Sequence, residues 1–120
     1  MRLLTAALLI LLATLAPADA ETRLVMLEQP GCHWCQRFDA EIAGAYEKSP
    51  EGRIAPLRRV DITRDWPEDL ATIAPDRYTP TFILIDDGVE IARLRGYPGD
   101  NWFWPMLEEM LDKLDGRRSG

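Results

Sequence analysis

Cys32-His33-Trp34-Cys35 carries the only two cysteines of this 120-residue chain, spaced two residues apart and following an apolar run, Leu24 to Leu27, that ends in Pro30-Gly31. Two thiols at that spacing can exchange with a disulfide, staple the chain or hold a soft metal. As a staple the pair is weak: a ring of four residues limits the loop-entropy gain to roughly 2 kcal/mol. Covalent haem needs a histidine after the second cysteine, where Gln36 stands, and structural zinc needs four Cys or His ligands. The chain offers three such residues in all, so of the metals only Cu(I) on two thiolates stays open. A strand before the motif and a helix after it favour redox exchange.

A helix beginning at this motif gives its sulfurs different tasks. Cys32 in the first turn faces unpaired backbone N–H groups and the positive end of the helix dipole, which favour its thiolate and make it the attacking sulfur. Cys35, one turn on, is shielded and resolves the mixed disulfide. His33 either stabilises the thiolate when protonated or occupies an exposed position that tunes little. Trp34 reads as an apolar contact surface beside the sulfurs.

The elements that position the motif are legible in the hydrophobic periods. Thr22 to Glu28 reads as a buried strand. From Cys32 the period changes, with Cys35, Phe38, Ile42 and Ala45 or Tyr46 along one helix face. Ser49-Pro50-Glu51-Gly52 reads as a turn, Ile54 to Ile62 as a second strand, and Trp66 to Pro75 as a helix with Leu70 and Ile73 inward. Two apolar strands, Phe82 to Ile85 and Val89 to Leu94, flank Asp86-Asp87-Gly88 as a hairpin. A last helix has Asp100 as N-cap and Phe103, Leu107, Met110, Leu111 and Leu114 at helical spacing, with the tail from Gly116 fraying. The order β-α-β-α-β-β-α makes an α/β domain: a mixed four-stranded sheet flanked by three helices, with the first two strands parallel and the hairpin antiparallel.

Residues 1–20 read as a signal peptide. Arg2 precedes an apolar stretch, Leu3 to Leu15, and Pro17-Ala18-Asp19-Ala20 ends in a small-x-small cleavage pattern. The stretch falls short of the roughly 20 residues that span a bilayer. Cleavage after Ala20 leaves a single domain over 21–120. Removing Arg2 and Asp19 from the 14 basic and 20 acidic residues leaves 13 and 19, a net charge still of −6. That balance argues against nucleic acid or an anionic membrane as partner and favours another protein.

Pro30-Gly31-Cys32-His33-Trp34-Cys35 at a helix start, with Tyr78-Thr79-Pro80-Thr81-Phe82 entering a hairpin strand, resembles the thioredoxin superfamily across essentially the whole mature chain. The resemblance implies a thioredoxin fold and thiol-disulfide oxidoreductase activity, with no cofactor beyond the redox-active Cys32–Cys35 disulfide. It also implies a cis Pro80 beside the disulfide, Thr79 as the residue whose backbone pairs with substrate, and Gly96 lining the partner groove. Arg95-Gly96-Tyr97-Pro98-Gly99-Asp100-Asn101-Trp102-Phe103-Trp104 is closer to the periplasmic thioredoxins of bacterial sulfur-oxidation (Sox) gene clusters. That branch implies a monomeric periplasmic reductase acting on protein disulfides or cysteine sulfur adducts. Its implied substrate is the thiosulfate-oxidation carrier SoxYZ, and its electron donor a membrane thiol transporter of CcdA or DsbD type. It also offers Tyr97, Trp102, Phe103 and Trp104 as a docking surface, against helix packing for Phe103 and one tryptophan. The same residues with opposite redox poise would make an oxidase or isomerase.

The departures fall on proton chemistry. Trp34 replaces the motif proline of thioredoxin, Ala40 the proline that kinks its helix, Met26 its buried carboxylate and Arg59 its second-strand lysine. Glu28, two residues along the strand face from Met26, is either a substitute carboxylate or a solvated strand end.

Overall fold

The computed structural model describes residues 21–120; the signal-peptide expectation lies outside the described residues. Four strands, β1 (Thr22–Glu28), β2 (Leu57–Asp61), β3 (Thr81–Asp86) and β4 (Val89–Arg95), form one sheet in the order β2-β1-β3-β4. β1 runs parallel to β2 and antiparallel to β3, and β3 pairs antiparallel with β4. The two inner strands are apolar on both faces, as a twice-covered sheet requires. The β3–β4 turn places both Asp87 and Gly88 at positive φ, 51° and 75°, the backbone that a two-residue hairpin favours.

Alternation along β1 and β3 divides the core. Leu24, Met26, Phe82 and Leu84 face the helices, packing with Phe38, Ile42, Tyr46, Phe103 and Leu107. Val25, Leu27, Ile83 and Ile85 face the other way, against Leu70, Ile73 and Trp66. Each fully buried large side chain contributes roughly 1.5–3 kcal/mol, and both faces are filled.

The helix after the cysteine motif is segmented. α1 (His33–Phe38) passes into a π-helical stretch, Asp39–Ala43, and then α2 (Gly44–Lys48). A short α3 (Pro50–Ile54) follows, where the sequence suggests a turn: the Ser49 hydroxyl accepts from the Gly52 N–H at 2.9 Å, and Pro50 opens the helix at a position where its missing N–H costs no hydrogen bond. β2 accordingly starts at Leu57, later than expected.

The third helical region is smaller than its apolar spacing suggests. Between Trp66 and Pro75 only a 3-10 turn, Glu68–Leu70, forms, although Leu70 and Ile73 are buried as expected. The Trp66 indole donates to the Leu70 carbonyl at 2.8 Å and closes the segment on itself. Two inward side chains three residues apart are satisfied by one tight turn, and the flanking prolines prevent its extension.

α4 (Asp100–Ser119) buries all five residues placed on its inner face. Gly99, not Asp100, is its N-cap; Asp100 sits in the first turn, where its charge meets the helix dipole. The tail is helical to Ser119 instead of frayed. Arg118 donates to the Thr22 hydroxyl (2.7 Å) and to Asp86 (3.2 Å), and Thr22 donates to Asp86 at 2.7 Å, tying the last turn to the sheet. These bonds, the Thr22 hydroxyl first, hold the Asp86 carboxyl below its ordinary range. Among the described residues no helix is long and apolar enough to cross a membrane.

Candidate active site

The β1 strand delivers the chain to Gln29-Pro30-Gly31, where Gly31 turns at φ 77° and starts α1 at the cysteine pair. Cys32 is the N-cap. Its sulfur accepts from the Cys35 N–H at 3.1 Å, so an orphan donor of the first helical turn points at that sulfur. The two cysteines are joined as a disulfide with Cα atoms 5.2 Å apart. Cys32 is partly exposed, whereas Cys35 is 4% exposed and belongs to the core that includes Phe38, Phe82 and Phe103. A partner can reach one sulfur and not the other.

The Thr79–Pro80 peptide is cis, and Pro80 is buried. The Gln29 side-chain amide donates to the Thr79 hydroxyl at 2.8 Å, linking the cysteine loop to the proline loop. Gly96 continues this surface: its N–H donates to the Pro80 carbonyl at 2.7 Å, and its φ is 94°. A Cβ there would come within 3.2 Å of the Tyr78 ring, so glycine serves both the backbone and the close approach. Trp34, Tyr78, Pro80, Gly96 and Met106 line a groove of about 340 Å³.

Two exposed aromatics flank that groove, each backed by an arginine. Arg37 lies over Trp34 at 5.5 Å and bonds Glu41 at 3.0 Å; Arg95 lies over Tyr78 at 5.2 Å and bonds Asp76 at 2.8 Å. The Tyr78 N–H and then Arg95 hold the Asp76 carboxyl below its ordinary range, so it stays a charged anchor at neutral pH. Each cation–π contact adds roughly 0.5–1 kcal/mol at such exposure and holds its ring in place. His33 is exposed and meets the Trp34 edge, ring centroids 5.3 Å apart.

The C-terminal aromatic segment divides between core and surface. Phe103 is fully buried and Tyr97 nearly so, while Trp104 stacks on Tyr46 at 6.1 Å. Trp102 is 65% exposed. Among the described residues no group of three or more His, Cys, Asp or Glu side chains is arranged to hold a metal ion.

Gln29, Asp39 and Tyr78, which the motif did not single out, line the clefts beside the cysteine pair and Pro80. Asp39, four residues after Cys35, could have been found from helical spacing alone. Gln29 had no such signal, because its partner lies 50 residues away.

The chain matches the thioredoxin-like domain family over residues 13–111. It is similar to the periplasmic thioredoxin SoxS from Paracoccus pantotrophus, in its reduced form, at 47% identity, covering 78% of this chain and 99% of that one, with a TM-score of 0.72. Fasciola hepatica thioredoxin is similar at 21% identity, covering 77% of this chain and 83% of that one, with a TM-score of 0.58. Malassezia sympodialis thioredoxin is similar at 18% identity, with coverages of 77% and 79% and a TM-score of 0.56. The last two likenesses concern the fold alone. Comparison with curated proteins gave no match.

Proposed function

Because the chain belongs to the thioredoxin-like family, and so is a thiol-disulfide oxidoreductase, we propose that it works as a periplasmic reductase of protein disulfides or cysteine sulfur adducts. Its leader is removed after Ala20 and residues 21–120 form the working domain. The observation that carries the reading is the 47% identity to a periplasmic thioredoxin matched over 99% of its length. The unequal access of the two sulfurs supplies the mechanism.

The reduced Cys32 thiolate attacks a partner's sulfur and forms a mixed disulfide. Cys35 then attacks Cys32, closes the intramolecular disulfide and releases the partner reduced. The orphan N–H of Cys35 favours negative charge on the Cys32 sulfur. Thr79 and Pro80 hold the substrate backbone, Gly96 leaves room for it, and Trp34 shields the exchanging sulfurs. His33 lies outside the exchange itself. The chain needs no bound cofactor, since both electrons sit on its own dithiol.

The partner that fits the Sox-like segment is the thiosulfate-oxidation carrier SoxYZ, kept in its active thiol form. A membrane thiol transporter of CcdA or DsbD type returns the electrons, and the domain works as a monomer. The test is capture: with Cys35→Ser the mixed disulfide on Cys32 has no resolving thiol and accumulates. In a cell expressing a thiosulfate-oxidation system, the carrier should be recovered in disulfide linkage to this variant and be released by reductant. Recovery of other proteins without the carrier would end the SoxYZ assignment.

A further inference from the structure

The step in which Cys35 attacks releases a proton, and the position where thioredoxins keep a carboxylate for it holds fully buried Met26. A thioether cannot accept that proton. Burial of a thiol also disfavours its charged form, so a buried attacking sulfur needs a nearby acceptor.

Two carboxylates stand on the same side of the motif. Arg59 of β2 lies opposite Met26 across the parallel pair and donates Nη1 to Glu28 at 2.7 Å and Nη2 to Asp39 at 2.6 Å. Glu28 ends β1, and Asp39 lies one turn after Cys35, where the helix opens into its π stretch. At that point the Asp39 N–H is shared between the Cys35 and Gln36 carbonyls. Single π turns of this kind are frequent at functional sites. One guanidinium between two carboxylates leaves a net negative charge, and only one oxygen of each is taken by Arg59.

The two carboxylates share a cavity with the cysteine pair. Cys32, Cys35, Glu28 and Asp39 line one cavity of about 280 Å³, wide enough for several waters. The other charged group on its wall, Asp61 of β2, is already committed to Thr63 (2.6 Å) and Arg64 (3.6 Å).

The geometry points to the Glu28–Arg59–Asp39 cluster as the acceptor that takes the Cys35 proton through cavity water during resolution of the mixed disulfide. In that step the Cys35 sulfur bonds to the Cys32 sulfur, and the bond from Cys32 to the partner's sulfur breaks. The partner leaves as a thiolate, and the proton passes to the cluster and then to the leaving thiolate or to bulk water. The dithiol gives two electrons and the partner's disulfide receives two, so nothing further is required. Glu28 and Asp39 act through water and are positioning residues for the reaction.

The inference rests on Cys32 attacking first and Cys35 second, and the test reads the two steps apart. Reduced protein is mixed with 5,5′-dithiobis(2-nitrobenzoic acid) in a stopped-flow instrument between pH 6 and 9. The first thionitrobenzoate released reports attack and the second reports resolution; the aromatic thiolate leaves unprotonated, so protein or solvent must take the proton. For the E28Q/D39N double variant the first phase should stay within about twofold of the unsubstituted chain. The second should slow by at least about tenfold at pH 7, short of the ~10²–10⁴-fold of a fully engaged base because open water carries part of the transfer. The gap should narrow towards pH 9, where hydroxide takes a growing share of the proton transfer. D39N alone, which keeps the Glu28–Arg59 pair, should show a smaller effect in the same direction and serves if the double variant does not fold. A second phase with unchanged rate and pH profile, or equal slowing of both phases at every pH, would overturn the acceptor role. Initial attack through Cys35 in the unsubstituted protein would overturn the reading beneath it.

Discussion

Cys32→Ser is expected to lower insulin disulfide reduction to the uncatalysed background, a loss on the order of 10³-fold or more. A serine hydroxyl can still accept from the Cys35 N–H, so the helix start survives and the loss belongs to the chemistry. The thiolate is the nucleophile of exchange, and an alcohol neither ionises near neutral pH nor forms a disulfide. Cys35, at 4% exposure, cannot replace it because a protein disulfide cannot approach in line with a buried sulfur. Unfolding should remain cooperative with a similar midpoint to the reduced parent, since neither holds the disulfide ring and the N-cap acceptor is kept. Reduction at the parent's rate would dismantle the attacker and resolver assignment.

The largest stability effect is expected at Phe103. Its ring meets those of Phe38, Phe82, Tyr97, Tyr46 and Trp104, with centroids 5.2–6.5 Å apart, and it is wholly excluded from solvent. Phe103→Ala removes about 3–5 kcal/mol through lost transfer energy and the cavity left behind. Against a total of about 5–15 kcal/mol for a domain, this leaves little margin at 37 °C. Denaturant unfolding checks it. A change below about 1 kcal/mol would mean that the aromatic cluster does not join α4 to the sheet.

The same cluster explains why an aromatic-rich segment could be read two ways from sequence. Phe103 and Trp102 are neighbours of similar character, yet the rotation of about 100° between consecutive helix residues buries the first and exposes the second. Period assigned Phe103 inward with Leu107, Met110 and Leu114, and the structure agrees. Strand positions were legible for a like reason: β3 and β4 are apolar runs separated by Asp87-Gly88, whose composition specifies the turn.

Features that depend on distant partners were less legible. Leu70 and Ile73 fit a helix or a single turn equally well, and the outcome follows from the flanking prolines and the Trp66–Leu70 closure. The π stretch at Asp39–Ala43 leaves no local signature, because one extra residue in a turn preserves the apolar positions on either side. At the site, Cys32 and Cys35 were evident from spacing and helix polarity. The grouping of Glu28 with Asp39 was not, since it depends on an arginine from the adjacent parallel strand. Gln29 reached Thr79 only once β1 and β3 were paired.

Direction of electron flow is the central claim of the proposed function, and the reduction potential of the Cys32–Cys35 pair tests it most directly. Residues 21–120 equilibrated in graded thiol-disulfide buffers, with the reduced fraction read by thiol alkylation and mass, should give a potential near the −270 mV of a thioredoxin-type reductase. A value near −120 mV, typical of a disulfide-forming oxidant, would contradict the account.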